Sequence, residues 1–474
     1  MTSKWVEVPL EQLKAQTKSA FAMGPFGSKI KAENFTTAGV PVIKGGNLNA
    51  TYLDESDFDF LTQEKADELE SAKARRLDIV ITHRGTLGQV GLIPENSKYE
   101  EYVVSQSQLK MSFDIKRVDP YFVYYFLKSP LGQSRLLSNV SQVGVPAIAQ
   151  ALTSVRAIEI PIPENRSEQV RISSVLRSLD DKIGLNCGIN QTLEAMAQAI
   201  FKSWFVDFDP VKAKVAAIEQ GQDPLRAAMR AISGKTDAEL DQMPREHQDQ
   251  LATTAALFPD AMEESELGEI PKGWKAIPLS KMIKLIGGGT PKRSEPSYWN
   301  GTIPWFSVRD VPDDGDVWVV DTDEKITEVG LQKSSTKLLG RGTTIISARG
   351  TVGKLAMVGQ EMAMNQSCYG VVGAEGVGHF FNYFNLKLAV ETLKRNTHGA
   401  VFDTITQATF ETVTCVKPEN SVMKQFDEIV EPLLKGIRSN VFQSRGLAEL
   451  RDTLLPKLLS GELSVGSPSE EATA

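Results

Sequence analysis

The chain repeats itself, and this constrains its fold more than any other feature. Residues 5–10 (WVEVPL) resemble 274–279 (WKAIPL), and 78–94 (DIVITHRGTLGQVGLIP) resemble 343–359 (TTIISARGTVGKLAMVG). Residues 105–107 (SQS) resemble 365–367 (NQS), and 149–151 (AQA) resemble 406–408 (TQA). The spacing falls from 269 at Trp5/Trp274 to 265 at Arg84/Arg349, 260 at Gln106/Gln366 and 254 at Ile183/Ile437. The second copy is therefore shorter through scattered deletions, as expected of an old duplication. The order is globular part, helix, linker, globular part, helix.

The helical parts show the clearest periodicity. Apolar residues recur from 167 to 205 at Val175, Leu179, Ile183, Leu193, Met196, Ile200 and Trp204. From 421 to 459 they recur at Ile429, Leu433, Ile437, Leu447, Leu450, Leu454 and Leu458, each 254 positions on. Two such stripes are expected to pair, with Leu179, Ile183, Leu193, Met196 and Ile200 meeting Leu433, Ile437, Leu447, Leu450 and Leu454. Asn186 and Asn440 hold matching places, and either face inward and fix the register or both face outward. Prolines lie only in the second segment, at Pro432 and Pro456.

The globular parts read as mixed α/β. Leu77–Ile81 and Thr344–Ile346 are short apolar runs that end in glycine-rich turns, which marks strands. Val103–Met111 and Met364–Val372 read as further strands, and Pro120–Ser129 and Phe381–Lys394 as helices. The fold class is thus α+β: two globular mixed α/β parts separated by two long antiparallel helices forming a coiled coil, in a pseudo-twofold repeat. The expected boundaries are 1–165 and 274–418 for the globular parts, 166–206 and 419–463 for the helices, 207–273 for a connector, and 464–474 for a disordered tail.

The net charge of −8 is unevenly spread. Residues 207–269 hold 14 acidic and 6 basic side chains, which accounts for all of it. The remainder is balanced and can carry local basic faces, which matter more for a polyanionic partner than the total does. Three widely spaced cysteines, Cys187, Cys368 and Cys415, suit a reducing compartment. No stretch reads as a signal peptide or a membrane span, so a cytoplasmic location is expected.

No catalytic constellation emerges. Four histidines, His83, His247, His379 and His398, lack ligand spacing, so a zinc site is not expected. Residues 350–355 (GTVGKL) and 287–292 (GGGTPK) have the wrong form for a nucleotide-phosphate loop, and no serine-hydrolase elbow occurs. Asp119-Pro120-Tyr121-Phe122 approaches an amino-methyltransferase tetrapeptide but lacks its second proline, and reads as a helix start.

What remains are loops fit for binding. Arg84 and Thr86 in one copy match Arg349 and Thr351 in the other. An arginine fork suits phosphate or guanine, and the adjoining glycines let the backbone approach a ligand; the alternative is an internal Arg–carboxylate pair. Lys44, Asn47 and Asn49 follow one strand, and Ser307 and Arg309 follow another, which suits base-edge or phosphate contact. Lys29, Lys31, Lys292 and Arg293 flank these segments, either as contacts or as solvated surface. Gln106 and Gln108, with Asn365 and Gln366, could read adenine by amide pairing or equally cap strand ends.

This arrangement resembles the specificity subunits of type I restriction–modification systems. The resemblance rests on the strand-RGTxG unit, the Gln-containing strand and the Pro-ended exits at 160–163 (IPIP) and 415–418 (CVKP). It also rests on 200–208 (IFKSWFVDF), 266–274 (ELGEIPKGW) and 454–463 (LLPKLLSGEL). It implies two target-recognition domains, one per half of a split double-stranded DNA target, held about 34 Å apart by the helices. It implies docking of two methyltransferase subunits and, where present, two restriction subunits. Those partners would use S-adenosylmethionine, ATP and Mg, with no cofactor and no catalysis on this chain. A stand-alone enzyme and a coiled-coil scaffold for protein partners are the competing readings; a steep salt dependence of duplex binding would separate DNA recognition from the scaffold.

Overall fold

A computed structural model describes residues 4–141, 144–313, 315–396 and 404–465. The 464–474 tail expectation falls almost entirely outside them. The chain forms two compact units, one of residues 1–184 with 445–474 and the other of residues 185–444. The unit boundary cuts through both long helices, so each unit is a globular part joined to one stretch of each helix. The linear boundaries expected from sequence do not show this, because helix segments distant in sequence pack against the same globular core.

In the first unit, the segments 21–23, 108–111, 79–82 and 90–92 form a four-stranded sheet in that order. A second sheet runs 35–36, 59–61, 40–43, 101–104, 73–75, and Val40–Ile43 lies parallel to Glu101–Val104. Trp5–Pro9 pairs antiparallel with Glu159–Pro163, closing the domain at the point where the first long helix begins. The helix Pro120–Lys128 is buried almost throughout, because its aromatic run leaves no polar face and its flanks are the sheet and the long helix. Its start is set by Asp119, which caps it, and by Pro120 at its first turn.

The second unit repeats this topology. The segments 283–287, 368–373, 344–347 and 355–358 stand in the same order, with Trp318–Val319 added at the edge. Trp299–Phe306 runs parallel to Ala363–Met364, and Lys275–Pro278 pairs with Thr414–Lys417. The runs 103–111 and 364–372, expected as single strands, each break into two strands around a turn at 105–107 and 365–367. This turn matters below, because it carries side chains to the end of the sheet.

The connector is folded. It forms helices Asp209–Glu219, Pro224–Ser233, Asp237–Asp241 and Arg245–Ala256, and the last three enclose a small core of Ala228, Met229, Leu240 and Ala255. A few of its charges are internally paired, as where Arg226 meets Asp237 and Asp241 at 2.6 Å.

The long helices span Arg166–Phe205 and Asn420–Leu459, 40 residues each. The second continues through Pro432 and Pro456. Within each unit their stretches pair antiparallel. In the first, Arg451 bonds Asp180 at 2.6 Å; in the second, Asn186 donates to Gln443 at 2.9 Å and Ser444 at 3.1 Å. Asn440 donates to Asn190 at 2.9 Å. Asn186 and Asn440 thus do not bond each other. Each meets the equivalent position, 190 or 444, of the opposite helix.

Ile437 is buried, Leu193, Ile200, Leu433 and Leu454 pack against the cores, and Leu179, Ile183 and Leu447 are half-buried. Met196 and Leu450, expected in the seam, are instead 49% and 46% exposed. Their neighbours Ala197 and Arg451 turn inward. At about 100° per residue, position 197 falls within about 20° of Asn186 around the helix, whereas 196 lies about 80° away.

Candidate DNA-recognition surface

In each unit the RGTxG loop hangs from the end of a central strand and is fixed from both sides. His83 N–H donates to Ser107 O at 2.9 Å, Ile148 N–H to His83 O at 2.9 Å, and Gly85 N–H to Pro146 O at 2.8 Å. In the second unit Ala348 N–H donates to Ser367 O at 2.8 Å and Ile405 N–H to Ala348 O at 2.9 Å. The last glycine of each loop has a positive φ, 87° at Gly88 and 80° at Gly353. A Cβ there would lie 2.8 Å from Gln133 Oε1 or 2.9 Å from Val390 Cγ1, so only glycine lets the loop rest on its helix.

This anchoring leaves the arginines free. Arg84 and Arg349 are exposed, and among the described residues neither makes an ion pair. The internal Arg–carboxylate alternative is therefore not what this structure shows. Thr86 and Thr351 are exposed beside them. His83, behind Arg84, is held below its ordinary pKa by burial, so the loop base adds no second charge near neutrality.

Beside the first loop lies a chain of amides and hydroxyls. Gln108 donates to Thr82 Oγ1 at 3.2 Å, and Thr82 donates to Gln89 Oε1 at 2.8 Å. Gln89 donates in turn to Asn49 Oδ1 at 2.5 Å and Gly45 O at 3.0 Å. Ser105 bonds Gln108. Thr82 and Gln108 face each other across adjacent strands, as do Ser347 and Cys368 in the second unit. There Ser347 Oγ accepts from Lys354 N–H at 2.8 Å.

Several expected contact residues have other work. Gln108 is buried and anchors the amide chain. Asn47 is buried too: its side chain accepts from Lys44 N–H at 2.9 Å and donates to Asp57 O at 2.8 Å, fixing its turn. Lys44 is paired with Asp59. Arg293 is paired with Glu324 and stacks on Trp299 with its guanidinium carbon 4.0 Å from the ring centroid. Ser307 caps a turn with Asp310, and Asn365 caps its own turn by accepting from Ser367 N–H at 3.0 Å. Lys31 lies near Glu33, and Gln366 accepts from Thr290. Asn47, Ser307 and Asn365 follow strands, where backbone groups leaving the ladder need partners, whereas Lys31, Lys44 and Arg293 are drawn to nearby carboxylates. Lys29, Asn49, Gln106, Lys292 and Arg309 remain exposed.

The family model described as the type I restriction modification DNA specificity domain matches this chain twice, at residues 23–195 and 271–435. The chain belongs to that family. It is 31% identical over 393 residues to the type I restriction enzyme HindI specificity subunit of Haemophilus influenzae, covering 78% of this chain and 84% of that one. It is 25% identical over 348 residues to the MjaIX specificity subunit of Methanocaldococcus jannaschii, covering 73% and 69%. The crystal structure of a type I S subunit from M. genitalium superposes with a TM-score of 0.52 at 14% identity, covering 96% of each chain, and so shares the fold. The protein is thus a type I specificity subunit whose two matched domains recognise DNA, and the protein-scaffold reading falls away.

Within this family's frame, two residues passed over in the sequence stand out: Gln89 and Lys354. Each directly follows its RGTxG loop at matching positions. The signal was present as an aligned pair that differs, Gln in one copy and Lys in the other, beside loops that agree.

Proposed function

We propose that each unit reads one half of a split duplex target, with the shared loop residues gripping phosphate and the differing residues meeting bases. The observation that carries this is the contrast inside one chain. Arg84 and Arg349, identical and unpaired, occupy the same anchored loop, while Gln89 and Lys354 beside them differ. Two domains performing one task on two sequences must share what is sequence-independent and differ in what reads sequence. Asn49 is exposed and offers its amide to a base, Gln89 holds that amide in place through its own Nε2, and Lys354 offers a donor suited to guanine.

The chain itself performs no chemistry in this reading and holds no cofactor. Methyltransferase partners supply methyl transfer from S-adenosylmethionine, and restriction partners, where present, use ATP and Mg. The duplicated helices support two equivalent partners, because each unit carries one stretch of each helix and so offers a similar face. None of the described helices is long and apolar enough to cross a membrane. The expected setting is the cytoplasm of a bacterium or archaeon.

The test is adenine-methylation mapping in cells expressing this chain with its cognate methyltransferase. A single split motif that disappears when this chain is omitted is the expected result. The same adenines methylated without it would end the reading.

A further inference from the structure

The second unit contains a cavity of about 430 Å³ that the recognition surface does not use. Arg341, Lys435 and Arg438 line it, with Trp318 and Phe442 among its walls. Its lining carboxylate, Glu431, is engaged by Lys435 at 3.0 Å. The nearby Asp427 carboxylate, facing His379, is spent on the N–H groups of Phe380 and Phe381. Arg438 is fixed: its Nε donates to Gly359 O at 2.7 Å and its guanidinium lies 4.9 Å from the Phe442 ring centroid. This leaves its terminal nitrogens without a carboxylate partner. Arg341 is exposed and makes no ion pair among the described residues.

Two guanidinium groups sharing a cavity without a carboxylate between them repel each other, and an anion removes the cost. Desolvation, and then the charge of Arg341, hold Arg438 below its ordinary pKa. The first unit has no such arrangement: at the corresponding place Arg76 donates to Ser97 O at 3.0 Å and lies 3.1 Å from Glu100. We propose that this cavity binds a phosphate group between Arg341 and Arg438. The phosphate belongs either to the backbone of bound duplex or to a free phosphate compound. The first source rests on the DNA reading above; the second does not.

The experiment compares the full chain with Arg341→Ala, a change at an exposed residue that leaves the Arg438 contacts intact. The first readout is the melting temperature in inorganic phosphate against chloride at matched ionic strength. The second is affinity for a 40-bp random-sequence duplex across a KCl series. A phosphate-specific rise in melting temperature that Arg341→Ala abolishes, with a log–log salt slope shallower by about one, assigns the site to backbone phosphate. The melting effect without the slope change assigns it to free phosphate compounds. A slope change without the melting effect means a surface charge contact and overturns the proposal, as does no change in either. If the parent chain binds no duplex, the DNA reading fails while the phosphate titration still decides the cavity.

Discussion

The two units fasten their globular part to the long helix with different chemistry at the same three positions. In the first, the Tyr125 hydroxyl donates to Asp180 at 2.8 Å, and Asp180 also accepts from Arg451 at 2.6 Å. Burial, and then the charge of Asp180, hold the Tyr125 hydroxyl far above its usual pKa, so it stays a donor. In the second, the equivalents are Phe384, Leu434 and Ala197, all in the apolar core. The capping of the neighbouring helix is also exchanged. Asp119 caps the first helix and accepts from Ser173 at 2.5 Å; in the second, Asp427 of the long helix supplies the carboxylate, and the loop residue is Gly378. Positions separated in sequence have therefore changed as sets. The architecture demands a filled, satisfied junction and accepts either a polar or an apolar solution, provided it is complete.

The largest expected effect comes from breaking one set. Asp180→Leu alone removes the shared acceptor of Arg451 and Tyr125 and leaves them only Asp452 and Tyr52, at a cost of about 3 kcal/mol, the low end for breaking a buried pair. The triple change Tyr125→Phe, Asp180→Leu, Arg451→Ala installs the second unit's solution and is expected to recover most of that loss. Thermal melts of single and triple variants decide it; a triple variant no better than the single would show that the two junctions are not interchangeable.

The exchanged cap gives a smaller effect. A Cβ at Gly378 would stand 2.0 Å from Asp427 Oδ2. Gly378→Asp alone should cost about 1–3 kcal/mol by overpacking, and adding Asp427→Ser should restore part of it by recreating the first unit's cap. Asp427 also carries a pH signature. Burial pushes its carboxyl up to about 6 from 3.8, so between these values the folded state holds more proton than the unfolded. Its contribution to stability is greatest at low pH and falls as pH rises through that window, by up to about 1.4 kcal/mol per unit. Asp427→Asn should flatten that slope, and a melting series from pH 4 to 7 would show it.

At the recognition surface, Gln89→Lys places the second unit's side chain in the first. The expected result is a changed base in one half of the methylated motif, with the other half intact. Discrimination should shift by about 1–3 kcal/mol, read by methylation mapping. An unchanged motif would move base reading away from this position.

The duplication made much of this visible in the sequence. The repeated order, both long helices and the anchored RGTxG loops follow from aligned runs and their periodicity. Individual contacts do not. Asn47 and Gln108 look like ligands for a base in sequence, but strand ends oblige them to satisfy backbone and side-chain partners within the domain. Met196 and Leu450 match a loosely drawn apolar stripe, yet a 3.6-residue turn carries Ala197 and Arg451 inward instead. The Gln89/Lys354 difference is visible in the aligned runs, but its consequence is not, because an amide gains meaning only beside Thr82 and Asn49, which lie on other segments.

The smallest effect tests the other half of the comparison. Arg84 and Arg349 are identical, exposed and unpaired, and if they grip phosphate they contribute affinity without sequence information. Arg84→Ala and Arg349→Ala should therefore weaken binding about equally on target and random duplexes. Each should lower the salt slope by about one and leave the methylated motif unchanged. Because neither side chain holds anything in the fold, melting temperature should not move. A motif altered in one half by Arg84→Ala would mean that the shared arginine reads guanine. Sequence recognition would then lie in a residue that the two units have in common, and their differing targets would have to come from the surrounding loops alone.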